Sequence, residues 1–354
     1  MRYGRYFSLI CMAAVALAGC GTESTADPAL PEGAAAQLDS FDLQAHRGGL
    51  GLVTESTIES FTNALQLGVN TLELDTQITE DGIAVVTHDR KVSDKKCVDS
   101  GALTPGDPEF PYVGKFVNTL TLAQIRTLDC GALTLADYPE QQRVPGARIP
   151  TLTEVLELVK SVDAPDVKLN VETKVEAGSP TETAPREQFV DTVLETIREA
   201  GMLDRITVQS FDWGALKLVR DAEPEVPVVA LTNGDFLQVG QEGSSPWLGG
   251  IDIDDFGGDA IAAIDSFGAS AYSPVQGSPQ SGKVGDPDFE LFVNRAMVDS
   301  AHERGIRVIP WTVDDPDTMR ALMDLGVDGL ITDYPDRVRT VMAERGLPLP
   351  DPAR

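Results

Sequence analysis

Positive charge is scarce in this sequence: 28 lysines and arginines stand against 56 aspartates and glutamates, for a formal net charge of −28. Such a surface repels phosphate backbones and anionic bilayers, which excludes nucleic-acid binding and membrane attachment through a basic patch. Histidine is rarer still, with three in 354 residues, and there are four cysteines. Long apolar runs are missing too: the one uncharged stretch near the start, FSLICMAAVALA, is too short to span a bilayer comfortably. What remains, 42% hydrophobic and 24% charged residues, is ordinary for a soluble globular chain with one large core or two smaller ones.

The apolar run follows Arg2 and Arg5 and ends in small residues, the pattern of an export signal. Its end, Leu17-Ala18-Gly19-Cys20, resembles the lipobox of bacterial lipoproteins, which implies cleavage before Cys20 and lipid attachment to it. The competing reading is a simple cleaved signal with an incidental cysteine. Loss of residues 1–19 takes the charge from −28 to −30, so anchoring at the outer face of the cell membrane, in the periplasm or at the cell surface, rests on acyl chains. Residues 20–40, rich in Ala, Pro, Gly, Ser and Thr, read as a flexible tether. The folded domain is expected over 41–346, with a short tail over 347–354. Cys97 and Cys130 then remain as an even pair in an oxidising compartment, and a disulfide between them is expected, with two separate thiols as the alternative.

From Phe41 onward short β-branched runs alternate with helical periodicities, the signature of α/β units around a parallel sheet. Nine strands are expected: Asp42–Ala45, Thr71–Asp75, Ile83–Thr87, Val167–Thr173, Ile206–Gln209, Val226–Leu231, Ala269–Ser273, Val308–Thr312 and Gly329–Thr332. That number suits a closed (β/α)8 TIM barrel better than an open sheet. Ser56 with Glu59 and Thr151 with Glu154 read as capping boxes, and Asp315-Pro316 starts a helix that Gly326 stops. Between Arg90 and Pro150 about sixty residues show no such pattern, and insertions this long are usually functional. The segment reads as a lid or side lobe held by the Cys97–Cys130 bridge rather than by a core of its own.

Two of the three histidines, His46 and His88, each follow the apolar run of an expected strand, which puts both at the C-terminal mouth of a parallel barrel. His302 lies in a polar helical stretch and reads as a surface residue. In Leu72-Glu73-Leu74-Asp75 the period of two places both carboxylates on one face, and apolar residues facing the helices turn the acids inward. Glu172 and Lys174 share a face in the same way. Carboxylates packed inside a barrel repel and lose hydration, so a cation is called for. Three oxygen donors without cysteine or spare histidine favour a hard ion, Ca2+ or Mg2+, over zinc. The alternative is an ion-pair network with Lys174 and Arg47. Arg47, followed by Gly48-Gly49, suits a pair of phosphate oxygens.

Ala45-His46-Arg47-Gly48, Glu55-Ser56-Thr57-Ile58-Glu59-Ser60-Phe61, Glu73-Leu74-Asp75, Asp81-Gly82 and His88-Asp89 resemble, in order and spacing, the glycerophosphodiester phosphodiesterases. The likeness continues through Ile149-Pro150-Thr151-Leu152, Glu172-Thr173-Lys174, Gln209-Ser210-Phe211, Trp311-Thr312-Val313 and Ile331-Thr332-Asp333-Tyr334-Pro335, nearly all of the mature chain. It departs at Ser56 and at Asp314, where the family often has Asn.

The resemblance implies that His46 and His88 are a general acid–base pair, and that Glu73, Asp75 and Glu172 hold one divalent ion. Arg47 and Lys174 would neutralise the phosphoryl oxygens, and Phe211 and Trp311 would lie near the glycerol or alcohol, or else merely pack the mouth. It further implies that a glycerol hydroxyl attacks the phosphorus, giving a cyclic phosphate that water opens to glycerol 3-phosphate. Glu55 would orient Arg47 or simply favour the helix dipole. Two rival readings are a phospholipase C or sphingomyelinase D relative on the same scaffold, and a lipoprotein that binds glycerophosphodiesters without turnover. Nothing in the sequence points to a protein partner.

Overall fold

In the computed structural model, residues 41–353 are described, so the export signal, Cys20 and the tether lie outside the described residues. Eight parallel strands form the barrel: β1 (Asp42–Ala45), β2 (Thr71–Ile78), β3 (Lys168–Thr173), β4 (Ile206–Ser210), β5 (Val228–Thr232), β6 (Ala271–Pro274), β7 (Arg307–Val308) and β8 (Gly329–Thr332). Each pairs with the next from β1 through β7, and β8 pairs with β1 in the register Asp42↔Gly329 to Ala45↔Thr332. Backbone bonds from Asp328 N to Val308 O (2.8 Å) and from Ile331 N to Pro310 O (3.0 Å) bring β7 and β8 together and all but close the ring.

A helix follows each strand: α1 (Ile58–Leu67), α2 (Leu152–Ser161), α3 (Arg186–Ala200), α4 (Trp213–Ala222), α5 (Ala260–Asp265), α6 (Arg295–Glu303), α7 (Pro316–Asp324) and α8 (Pro335–Glu344). The main core lies between this helical ring and the outward strand faces. There Leu43, Leu72, Leu74 and Val171 are fully buried together with Phe61, Leu156 and Val193, each such side chain contributing roughly 1.5–3 kcal/mol. Among the described residues no helix is long and apolar enough to cross a membrane.

Three local expectations change. The capping box of α1 is Thr57 with Ser60, one residue later than Ser56 with Glu59. Ser56 instead adopts φ 55°, and its buried hydroxyl has no partner. That conformation suits Asn better than Ser, so the substitution at Ser56 is not a change of cap.

Ala84–Val86 is not a barrel strand: it pairs antiparallel with the upper part of β2, Ile78 opposite Ala84 and Thr76 opposite Val86. The chain climbs above the mouth, turns through Thr79–Ile83, and descends again to His88. The mouth position of His88 is therefore reached from above.

The insertion has a core of its own. Val85, Val92, Tyr112, Val117, Leu120, Ile125, Leu128 and Ile149 form a cluster separate from the barrel's, with Tyr112 fully buried. The expected disulfide joins Cys97 to Cys130 at its edge, beside the two-stranded pairing of Val98–Asp99 with Leu128–Asp129.

Candidate active site

At the end of β1 the chain turns sharply. Arg47 (φ 51°) and Gly48 (φ 81°) are both left-handed. A Cβ on Gly48 would come within 2.6 Å of Ser60 Oγ and 2.9 Å of the Phe61 nitrogen, so only glycine fits against α1. The turn aims the Arg47 amide at Glu73 Oε2 (2.9 Å) and its guanidinium at Glu55 Oε2 (2.7 Å).

Glu73 and Asp75 project into the barrel from β2, and Glu172 stands opposite Asp75 on β3. All three are buried, and each offers an oxygen within 4.8 Å of the others. Gln209 Nε2 holds Glu73 Oε1 at 2.7 Å. Lys174 Nζ lies 3.1 Å from Glu172 Oε1 and 3.5 Å from Asp75 Oδ1. Burial, and then the charge of Asp75, push Glu73 above the usual carboxylate range. Burial raises Glu172 as well, against the opposing pull of Lys174 and with a smaller push from Asp75 and Glu73. Burial also acts to raise Asp75, but Arg47, His88 and Lys174 overcome it and hold that carboxylate well below the usual range.

Asp75 Oδ2 is buried and accepts no hydrogen bond; Arg47 Nε, 3.1 Å away, is not aligned with it and is itself without a hydrogen bond. An unsatisfied carboxylate oxygen between two crowded glutamates is costly in a protein interior. The three side chains therefore fit a metal ion bound through oxygen.

His46 Nδ1 lies 2.5 Å from Asp333 Oδ1, and its Nε2 is 4.0 Å from Glu73 Oε2. Burial and Arg47 act to lower its pKa, but Asp333 and Glu73 outweigh them and the group is raised. Asp333 Oδ2 accepts a 2.5 Å bond from the Tyr138 hydroxyl. His88 Nδ1 lies 2.7 Å from Asp89 Oδ1, and Lys96 Nζ is 2.9 Å from Asp89 Oδ2. Loss of hydration, together with Arg47 and Lys174, lowers His88 to about 4. Both rings line one cavity of about 1880 Å3, which also contains the acidic trio.

Phe211 and Trp311, which also line the cavity, form an edge-to-face pair at 5.3 Å. Phe236 meets Phe211 edge-on at 5.5 Å and stacks on Trp247 at 4.2 Å. The Trp311 indole N–H donates to Ser273 O (3.0 Å), so that ring is fixed.

The cavity thus gathers His46, His88, Glu73, Asp75, Glu172, Arg47, Lys174, Phe211 and Trp311. Glu55 is bonded to Arg47, beyond any interaction with the helix dipole. His302 sits at the far end of the barrel, half-buried and 3.0 Å from Asp328, and is not a free surface residue. Asp333, Asp314, Gln209 and Tyr138 were not expected to have roles. Asp333 follows β8 directly, the position that marks His46 after β1, so the same rule points to it. Tyr138 lies in the unpatterned insertion, where no local signal identifies it.

The model of the Glycerophosphoryl diester phosphodiesterase family matches residues 46–337. A glycerophosphodiester phosphodiesterase of Caldanaerobacter subterraneus is 27% identical over 302 residues, covering 85% of this chain and 98% of the relative. One from Bacillus subtilis is 28% identical over 297 residues, covering 82% and 83%. A solved putative glycerophosphoryl diester phosphodiesterase from Silicibacter pomeroyi superposes with a TM-score of 0.70 at 27% identity, covering 88% of this chain and 98% of that one. An Oleispira antarctica phosphodiesterase, solved with the product sn-glycerol-3-phosphate, shares the fold at 21% identity and a TM-score of 0.61, covering 85% and 96%. The chain belongs to the glycerophosphoryl diester phosphodiesterase family and is a phosphoric diester hydrolase acting on glycerophosphodiesters.

Proposed function

We propose that the cavity converts glycerophosphodiesters to glycerol 3-phosphate and an alcohol, with His46 and His88 as the two proton carriers. The observation that carries this reading is that both imidazoles line the cavity of the acidic trio with Nδ1 tied to an aspartate. Each ring is thereby oriented, and its Nε2 is left for proton transfer. One histidine takes the proton of the glycerol hydroxyl as that oxygen bonds to phosphorus. The other gives a proton to the departing alkoxide as its P–O bond breaks. The cyclic phosphate is then opened by water with the roles exchanged. An attacking hydroxyl already tethered to the phosphate avoids much of the entropic cost of encounter.

Glu73, Asp75 and Glu172 would hold a divalent cation, which when bound supplies positive charge for the glycerol hydroxyl and a phosphoryl oxygen. An all-oxygen donor set favours Ca2+ or Mg2+. Arg47 and Lys174 flank the trio and suit the remaining phosphoryl oxygens. Phe211 and Trp311 offer an apolar wall to the glycerol or the alcohol. The product-bound Oleispira relative supports glycerol 3-phosphate as the phosphate-bearing product.

The test is incubation with glycerophosphocholine while glycerol 3-phosphate is followed, with chelator and then with Ca2+ or Mg2+ restored. Turnover should vanish with chelator and return with at least one ion. Chelator-insensitive release would remove the ion from the reading and leave the histidines. The chain is further proposed to be exported and lipid-anchored at Cys20. Labelled palmitate should enter the wild type and not Cys20→Ser, and equal labelling of both would end that part.

A further inference from the structure

The two histidines are held by matching relays, and both relays end in the insertion. Asp333 uses one oxygen on His46 and receives the Tyr138 hydroxyl on the other; Asp89 uses one oxygen on His88 and has the Lys96 ammonium at the other. Lys96 also reaches Glu55 at 2.5 Å, and Glu55 holds Arg47, so one ammonium ties the arginine arm to the His88 arm.

Both donors sit on well-fixed backbone. Lys96 precedes Cys97 of the disulfide. Tyr138 begins a segment laced to the loop after β1, where Gln141 Nε2 donates to Leu50 O (2.6 Å) and Gln142 N to Leu52 O (2.8 Å). The acidic trio takes its direct partners from the barrel instead: His46 and Arg47 at the end of β1, Lys174 just after β3, and Gln209 of β4, with the insertion reaching it only at one remove, through Glu55 behind Arg47.

We propose that Tyr138 and Lys96 are positioning residues for catalysis: the insertion fixes the aspartates that aim His46 and His88, while the barrel alone builds the acidic cradle. The inference rests on the reading of His46 and His88 as proton carriers. A carboxylate bonded through one oxygen alone can rotate about its own axis, and the ring it holds moves with it. Anchoring the second oxygen removes that freedom. Tyr138 touches neither the phosphate site nor a residue that holds it, so its loss should slow proton transfer and leave substrate binding intact. Lys96 also holds Glu55 and through it Arg47, so its loss should reach the phosphate site as well.

Four single variants of the full chain, Tyr138→Phe, Lys96→Met, Asp333→Asn and Asp89→Asn, are compared on glycerophosphocholine together with Lys96→Arg and the doubles Tyr138→Phe/Asp333→Asn and Lys96→Met/Asp89→Asn. Loss of the partner that orients a metal-bound histidine from behind costs about 10- to 100-fold in activity, which sets the scale for these aspartate-held imidazoles. Tyr138→Phe is expected to lower kcat about tenfold and Lys96→Met somewhat more, because Lys96 carries a full positive charge and bridges two carboxylates, Asp89 and Glu55. In Tyr138→Phe KM should stay within about twofold, whereas Lys96→Met should also raise KM, because Glu55 loses a partner and holds Arg47 less firmly. Lys96→Arg should restore most of the rate. Each double should be no slower than its aspartate variant alone, the non-additivity expected of one relay.

Wild-type kcat in Tyr138→Phe and Lys96→Met overturns the proposal, and so do losses that multiply in the doubles. His46→Asn and His88→Asn serve as controls: if they keep full turnover, the reading of the site itself fails, whereas inactive controls beside unaffected relay variants sink only the proposal.

Discussion

The two halves of the barrel interior are built from different chemistry. Strands β1 to β4 send inward Gln44, Glu73, Asp75, Asn170, Glu172 and Gln209, all buried. Four of them form a continuous hydrogen-bonded chain: Asn170 Nδ2 donates to Gln44 Oε1 (2.9 Å) and to Gln209 Oε1 (2.7 Å), and Gln209 passes a donor on to Glu73. Strands β5, β6 and β8, with the segment after β7, send inward Val229, Ala271, Ile331 and Ile309, a dry cluster apart from the outer core. On both sides the residues in between, such as Leu72, Val208, Ala230 and Leu330, face the helices. Outward faces are therefore alike around the ring while inward faces are not. The polar half holds acids in fixed orientation where charge is needed, and the apolar half supplies the packing that lets such a costly interior persist.

That division is broken most severely at the proton carriers. His46→Asn or His88→Asn should lower kcat by about a thousandfold, within the range that general acid–base catalysis contributes. Thermal unfolding should shift little, because neither ring belongs to a hydrophobic cluster. A variant of either histidine with more than a tenth of wild-type kcat would mean that the polar half does not supply the proton transfer.

The converse test lies across the barrel. Ile309 is 2% exposed within the dry cluster, and Ile309→Ala should cost about 2–5 kcal/mol of stability through lost transfer energy and a cavity. Denaturant unfolding measures it. The kcat of the folded fraction should stay within about twofold. A collapse of kcat without loss of stability would show that the apolar half takes part in the chemistry directly.

Period-two alternation made most of the ring legible in the sequence. Asp42–Ala45 and Gly329–Thr332 have the expected bounds, and Glu73, Asp75 and Glu172 face inward as expected. Alternation does not reveal direction. The run at Ile83–Thr87 is as β-branched as any barrel strand, and only the extension of β2 to Ile78 leaves the short turn through Thr79–Ile83 that folds it back. The orienting partners were hidden for a different reason. Asp333 is 287 residues from His46, and Tyr138 is 195 from Asp333, so no local spacing joins them. The insertion's core was missed because its apolar residues come from short, irregular turns without a period.

Asp314 sharpens the comparison from another side, because it puts a second acid next to Asp333 on the cavity wall. Its Oδ1 accepts from Asp333 N (2.8 Å) and from Thr332 Oγ1 (3.1 Å). Burial, and then the charge of Asp333, raise it to about 7. A carboxyl raised in the folded state keeps its proton where the unfolded chain has lost it. Between the ordinary carboxylate range and about pH 7 the folded form thus binds more protons, and stability falls as pH rises. Asn presents the same acceptor oxygen without the charge. Asp314→Asn should therefore match the wild type near pH 4 and exceed it at pH 8 by on the order of 1 kcal/mol, read from denaturant unfolding at both pH values. A difference independent of pH would mean that Asp314 is ionised throughout, and that this cavity-lining acid is neutralised by its neighbours rather than by a proton.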